Sequence, residues 1–323
     1  MESRTRPLQA PPTITKTGSR RREIVHSGLT WVDVTQPTAA EATHLREQFR
    51  LDPLALEDVL STLQRPKLDL YPRDEYLFLI LHVPVLDRDN RIVASEMRIF
   101  AGRTFFVTVH DGDLRPLRRI FGAVASDEAA RTQIMSRGTG YLLYRIIDAV
   151  FKQVFPILYR LDDDLGRLDT RIFAAKTLAL ARELGDMRRE VVALRHIILP
   201  NIAVIHKLQS EPLSFLQIDT TRYFGDCADL IDKLADLLDE QRDVVAGISA
   251  TYSDLLAERS GYVLRIVLMA VIAALPFLVL VAVSSLYNVA SLPERLIPFA
   301  AALLATLVVT AAALWFARSR RWI

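Results

Sequence analysis

Two long apolar runs close the chain. Ile266–Val283 is unbroken, and Leu296–Ala317 has no polar interruptions other than Thr306 and Thr310. A helix rises 1.5 Å per residue, so roughly 20 apolar residues cross a hydrocarbon core about 30 Å thick. Each run is therefore predicted to be a membrane span. The stretch between them, Ser284–Arg295, is too short to hold a domain. The spans thus form a hairpin, and everything upstream lies on one side of the bilayer. In that upstream region, from Leu29 to about Arg131, short segments rich in β-branched and aromatic residues read as strands: Leu29–Val34, Tyr76–Val83, Glu96–Ala101 and Thr104–His110. Helical stretches lie between the first two. Thr38 and Glu41 make a capping box for a helix through Phe49, and Pro53–Leu60 carries proline in its first turn. Asp87, Asp89 and Asn90 form a turn between strands. The pattern predicts a compact α/β domain.

From Thr139 the period becomes helical. Leu142, Ile146, Val150, Phe151, Val154 and Leu158 recur at three- and four-residue steps. A second helix covers about Thr177 to Leu208, and Pro156 and Pro200 should kink these helices or mark their joints. The third helix is the unusual one. No proline occurs between Pro212 and Pro276, and an apolar stripe at Leu230, Leu234, Leu237, Val244, Ile248, Tyr252 and Leu255 runs directly into the first span. Continuous from Thr221 to Leu286, it would be about 100 Å long. Such a stripe must be buried by neighbouring helices, in this chain or in other copies. A break near Gly261, separating cytosolic from membrane helix, is the alternative. The predicted organisation is a disordered basic tail over 1–28, a cytosolic α/β domain over 29–135, and long cytosolic helices over 136–262 with a stalk helix from about 221. A two-span membrane domain with a basic tail follows over 263–323.

Charge sets the orientation. Arg259 and Arg265 precede the first span and Arg318, Arg320 and Arg321 follow the second, whereas the turn holds Arg295 beside Glu294. Positive-inside bias puts both termini in the cytoplasm of a cell (inner) membrane protein. Tyr262, Trp315 and Trp322 sit where interfacial aromatics are expected, and the arginine tail also suits lipid headgroups. With 40 basic and 38 acidic residues, no global field argues for nucleic acid. One cysteine, Cys227, excludes an intrachain disulfide. Enzyme readings find no support: there is no phosphate-binding glycine loop, no Cys-x-x-Cys and no His-Glu-x-x-His. His82 and His110 each end a strand and are read as structural.

Several blocks in this order resemble the CorA-type divalent-cation channels, two-span proteins that assemble as homopentamers. They are Pro53-Leu-Ala-Leu-Glu-Asp-Val-Leu60, Gln64-Arg-Pro-Lys67, Thr104-Phe-Phe-Val-Thr-Val-His110 and Tyr141-Leu-Leu-Tyr-Arg-Ile-Ile-Asp148. Tyr223-Phe-Gly-Asp-Cys-Ala-Asp229 looks like the start of the family's stalk helix, and Phe316-Ala-Arg-Ser-Arg-Arg-Trp322 like its basic tail. The family usually ends its first span with Tyr-Gly-Met-Asn; this chain has Ser285-Leu-Tyr-Asn288, with Pro293 five residues on.

The resemblance implies a CorA-like pentameric funnel: an α/β cytosolic domain, a long-helix stalk and two carboxyl-terminal membrane helices. Its implied cargo is Mg²⁺, with Zn²⁺, Co²⁺ and Ni²⁺ as alternatives, because Leu286 and Tyr287 stand where Gly and Met are usual. A ring of Asn288 amides would offer carbonyl oxygens to a hydrated cation, and Ser284 and Ser285 lie one turn away. Asn288 could equally cap the helix end. Along the first span, Leu264, Val267, Val271, Leu275, Leu278 and Ala282 share an apolar face, which suits either a dewetting gate or packing on the second span. The family further implies regulation by Mg²⁺ bound between neighbouring subunits, and Asp87 and Asp226 fall on the matching places. Arg318, Arg320 and Arg321 would form a basic ring at the pore exit. A membrane-anchored oligomeric scaffold that conducts nothing is the competing class.

Overall fold

The computed structural model describes residues 15–17, 20–61, 64–112, 114–174, 178–287, 301, 304–312 and 315. The chain divides into two compact units, Met1–Gly247 and Ile248–Ile323.

The first unit is built on a seven-stranded sheet of order β1-β2-β3-β7-β6-β5-β4. Its strands are β1 (Thr15–Thr17), β2 (Arg21–His26), β3 (Leu29–Thr35), β4 (Lys67–Tyr71), β5 (Tyr76–Leu86), β6 (Ile92–Gly102) and β7 (Phe105–His110). All neighbours are antiparallel except β3 and β7, which run parallel from Thr30↔Phe105 to Thr35↔His110. The α/β expectation holds. One part of the tail expectation does not: residues 21–26 form a strand. Ile24 is fully buried, Arg22 reaches Asp33 on the adjacent strand, and Arg21 bonds to Glu23 and Gln48. Arg21 and Arg22 therefore belong to an ordered sheet element, because each finds an acceptor on a neighbouring strand or helix.

Alternation along the strands gives the sheet two apolar faces. On one, Val32, Val34, Phe78, Ile80, Phe100, Val107 and Val109 pack under α1 (Ala39–Phe49) and α2 (Pro53–Leu60). The predicted Thr38–Glu41 capping box is present, and Asp52 caps α2 by accepting from the Leu54 amide at 2.8 Å. The opposite face carries Trp31, which meets Phe121 of α3 (Arg115–Ser126) edge-on at 4.8 Å. That face is also packed by α5 (Thr139–Lys152) and α7 (Leu178–Ser210). Helices α3 and α4 (Glu128–Met135) were not anticipated, and α6 (Val154–Ala174) starts just before Pro156 as expected of a joint. Pro200 marks no joint, since α7 continues through it.

Helix α7 packs on β4, β5 and β6, and one of its side chains pairs with a strand backbone. Strand β4 begins at Lys67 opposite Ile80, so His82 of β5 has no strand partner on that edge. Buried Asn201 takes its place: its Oδ1 accepts from the His82 amide and its Nδ2 donates to the His82 carbonyl, both at 3.0 Å. Replacing Asn201 with leucine leaves both backbone groups without partners and should lower stability by about 2–4 kcal/mol. Unfolding of the detergent-solubilised protein measures this, and an unshifted midpoint would contradict the pairing.

Helix α8 spans Thr220–Tyr287, 68 residues, passing through Gly261 without a break. Its buried seam in the first unit is Phe224, Cys227, Ile231, Leu234, Leu238, Gln241 and Val245, an alternation of three- and four-residue steps like a coiled coil. The sequence stripe named Leu230, Leu237 and Val244 instead, each one residue off, and Val244 is exposed. Polar anchors explain the choice: Gln241 Nε2 donates to the Leu158 carbonyl of α6 at 2.9 Å, and Asp239 and Asp232 pair with Arg195 and His206 of α7.

Candidate functional site

Two sets of residues were singled out by sequence, one in each unit. In the second unit the carboxyl-terminal part of α8 carries the predicted span. Leu264, Val267, Val271 and Leu278 are 69, 53, 54 and 63 % exposed, and Val263, Ile266 and Val281 are exposed as well. Leu304, Leu307, Val308, Val309 and Trp315 of the second apolar run are likewise exposed. Exposed apolar side chains in this number suit a non-aqueous covering. The backbone at Leu275, Ala282, Ser284, Ser285, Leu286 and Tyr287 is helical. Asn288, Arg318, Arg320 and Arg321 lie outside the described residues. Among the described residues, the one helix with the length and apolarity of a span is Ala179–Ser210. That segment is a core helix: Val191, Leu194, Ile198, Ile205 and Leu208 are buried, and α7 packs on β4, β5 and β6.

The two predicted sensor carboxylates lie in the first unit. Asp87 opens the β5–β6 turn, where its Oδ1 accepts from the amides of Asp89 at 2.9 Å and Arg91 at 2.8 Å. Asn90 adopts the left-handed conformation with φ of 59°, which asparagine tolerates well. A cleft of about 660 Å³ separates residues 89–92 of this turn from Asp186, Arg189, Glu190 and Ala193 of α7. Burial raises the Glu190 carboxyl, Arg160 works against that, and Asp164 and Asp186 add to it.

Asp226 lies on the exposed side of the first turns of α8. Its Oδ2 accepts from the Tyr144 hydroxyl of α5 at 2.9 Å, while Oδ1 takes no hydrogen bond among the described residues. Tyr144 is held in an aromatic cluster, with ring centroids 5.1 Å from Tyr223 and 5.9 Å from Tyr141. The Arg137 guanidinium lies 3.7 Å from the Tyr141 ring centroid and donates to the Tyr223 hydroxyl at 2.7 Å. Burial, then the Asp226 bond, push the Tyr144 phenol well above its ordinary range, so it stays a proton donor. Burial likewise raises the neighbouring Cys227 thiol, with Asp148 and Asp226 adding to it; Cys227 is an inert packing residue. Gly140 begins this side of α5, and a Cβ there would stand 2.7 Å from the Leu216 carbonyl, so glycine permits the close approach.

Sequence reasoning did not name Tyr144, although it lies in the Tyr141–Asp148 block already quoted. Nor did it find the network around Asp33. There the Thr108 hydroxyl donates to Asp33 Oδ1 at 2.7 Å and His110 Nε2 lies 3.2 Å from the same oxygen, all three residues being fully buried. The Gly112 amide donates to His110 Nδ1 at 2.9 Å, which fixes the imidazole proton on Nε2. This network is walled off from solvent and is part of the core. Among the described residues, no group of three or more His, Cys, Asp or Glu side chains could hold a metal. Asp226 offers the oxygen chemistry a hard divalent ion takes, but only part of a coordination shell.

An α/β domain joined to long helices, with apolar carboxyl-terminal runs, is the architecture of a solved membrane transporter. The complete structure of the CorA magnesium transporter from Methanocaldococcus jannaschii matches with a TM-score of 0.72 at 16 % identity, covering 97 % of this chain and 98 % of that one. By sequence, residues 26–318 match the family described as CorA-like Mg²⁺ transporter protein. The chain belongs to that family and is, at that level, a transporter of divalent cations. YfjQ of Bacillus subtilis is 29 % identical over 234 residues, covering 72 % of this chain and 70 % of the relative. The cobalt/magnesium transport protein CorA of Thermotoga maritima is 24 % identical over 272 residues, covering 82 % and 74 %.

Proposed function

We propose that this chain forms a homopentameric, passive uptake channel for divalent cations in the cell membrane, with Mg²⁺ as its principal cargo. The observation that carries the reading is helix α8, unbroken from a packed heptad seam to an apolar stretch in which Val263, Leu264, Ile266, Val267, Val271 and Leu278 are exposed within one chain. Copies gathered about one axis would cover part of that surface and lipid the rest. In this reading both termini are cytoplasmic, and Leu264, Val267, Val271, Leu275, Leu278 and Ala282 line a hydrophobic gate. Asn288 closes the mouth, assisted by Ser284, Ser285, Leu286 and Tyr287, while Arg318, Arg320 and Arg321 ring the exit.

Regulation is assigned to Asp87 and Asp226. Bound between neighbouring copies, a divalent ion would turn carboxylate repulsion into a cross-link. The turn bonds that fix Asp87 and the phenol that fixes Asp226 support this by holding both carboxylates at defined positions on the domain surface. Without the cross-link the copies loosen and conducting arrangements gain population.

The cargo assignment is tested by competitive uptake into proteoliposomes under an inside-negative potential. Mg²⁺ should be taken up and should outcompete Zn²⁺ and Ni²⁺. Preferential Zn²⁺, Co²⁺ or Ni²⁺ entry would reassign the cargo, and no entry of any ion would favour a non-conducting scaffold. The regulatory assignment is tested separately: replacing Asp87 and Asp226 together with alanine should abolish Mg²⁺-dependent protection from limited proteolysis, and full protection in that variant would remove both residues from the site.

A further inference from the structure

We infer that Tyr144 is a specificity-determining residue: by donating to one oxygen of Asp226, it weakens that oxygen as a ligand and biases the carboxylate toward single-oxygen recognition of a divalent ion. This rests on the proposed role of Asp226 and extends it to ion choice. The geometry is specific. The phenol donates to Oδ2 at 2.9 Å and Oδ1 takes no hydrogen bond among the described residues, so the two oxygens are not equivalent. The hydroxyl cannot swing away freely, because its ring is packed edge-on against Tyr223, one turn before Asp226 on α8. Tyr223 is fixed in turn by Arg137, whose guanidinium also sits on Tyr141.

Ion chemistry gives this asymmetry a consequence. Ca²⁺ accepts six to eight oxygens and readily takes a carboxylate through both, whereas Mg²⁺ keeps its waters and is served by single oxygens. A carboxylate whose second oxygen is weakened by a hydrogen bond therefore loses more as a Ca²⁺ ligand than as a Mg²⁺ ligand. Removing the phenol hydroxyl returns the second oxygen and should help Ca²⁺ disproportionately. Sequence spacing could not show this, since Tyr144 and Asp226 are 82 positions apart.

The test uses the full-length protein in detergent, with protection from limited proteolysis titrated separately with Mg²⁺ and Ca²⁺. Tyr144→Phe keeps the ring and removes the hydroxyl; Tyr141→Phe alters the same cluster without touching Asp226. In Tyr144→Phe the ratio of half-protecting Ca²⁺ to half-protecting Mg²⁺ should fall roughly three- to tenfold, the scale of one ordinary hydrogen bond. Tyr141→Phe should keep the wild-type ratio. An unchanged ratio in Tyr144→Phe, or the same fall in Tyr141→Phe, overturns the inference. Asp226→Asn is run in parallel. Wild-type protection in that variant removes the sensor reading itself, while lost protection combined with an unchanged Tyr144→Phe ratio removes the Tyr144 inference alone.

Discussion

Replacing Asp33 with alanine is expected to destabilise the first unit by about 3–5 kcal/mol, the largest stability effect of any single substitution considered. Asp33 sits fully buried on β3, and its carboxylate accepts from Thr108, His110 and Arg22. Trp31 Nε1 donates in turn to the Thr108 hydroxyl at 3.2 Å. Truncation leaves the Thr108 hydroxyl and the His110 Nε2–H without acceptors in a place water does not reach. The effect also has a pH signature. Burial acts to raise the Asp33 carboxyl, but bonds from His110, Thr108 and Arg22 outweigh it and hold the group below its ordinary value. A lowered folded-state value means stability that is fully present above about pH 4 and lost as pH falls through the folded value. Wild-type protein should therefore lose stability on acidification below about pH 4, and Asp33→Asn should lose less over the same range. Denaturant unfolding between pH 2 and 7 measures both; parallel pH profiles would contradict the charged network.

Local chemistry made much of the fold legible. The capping box at Thr38 and Glu41, the proline opening α2, the turn at Asp87–Asn90 and the long unbroken run of α8 all depend on neighbours in sequence, and all are present. What escaped depends on partners far away. Strand β2 looked like a charged tail because its arginines are satisfied by Asp33 and Gln48, 11 and 27 positions on. The seam of α8 was misread by one position at Leu230, Leu237 and Val244, because Gln241 and two aspartates choose which face meets α6 and α7. Asn201 was invisible for the same reason: its acceptor and donor belong to a strand 119 residues away. For the candidate site, family resemblance supplied Asp87 and Asp226. The phenol that orients Asp226 comes from another helix, and no single-sequence spacing encodes it.

The ion pathway yields the second large effect, on flux. A divalent cation crossing the membrane gains about 4.6 kcal/mol per 100 mV of inside-negative potential, twice the value for a single charge, so uptake needs no further energy source. In the proposed channel, the protein would supply a mouth that recognises the hydrated ion and a path along the apolar stretch of α8. If Asn288 amides form that mouth, one substitution removes an oxygen from every copy at once, so the loss is multiplied around the ring. A capping role would leave the pathway intact and make the substitution mild.

Potential-driven Mg²⁺ uptake by proteoliposomes carrying wild-type or Asn288→Ala protein at equal density separates these cases. Rapid wild-type uptake that falls about tenfold or more in Asn288→Ala is the predicted result. Equal uptake by the two proteins, or wild-type vesicles no leakier than empty ones, would contradict it.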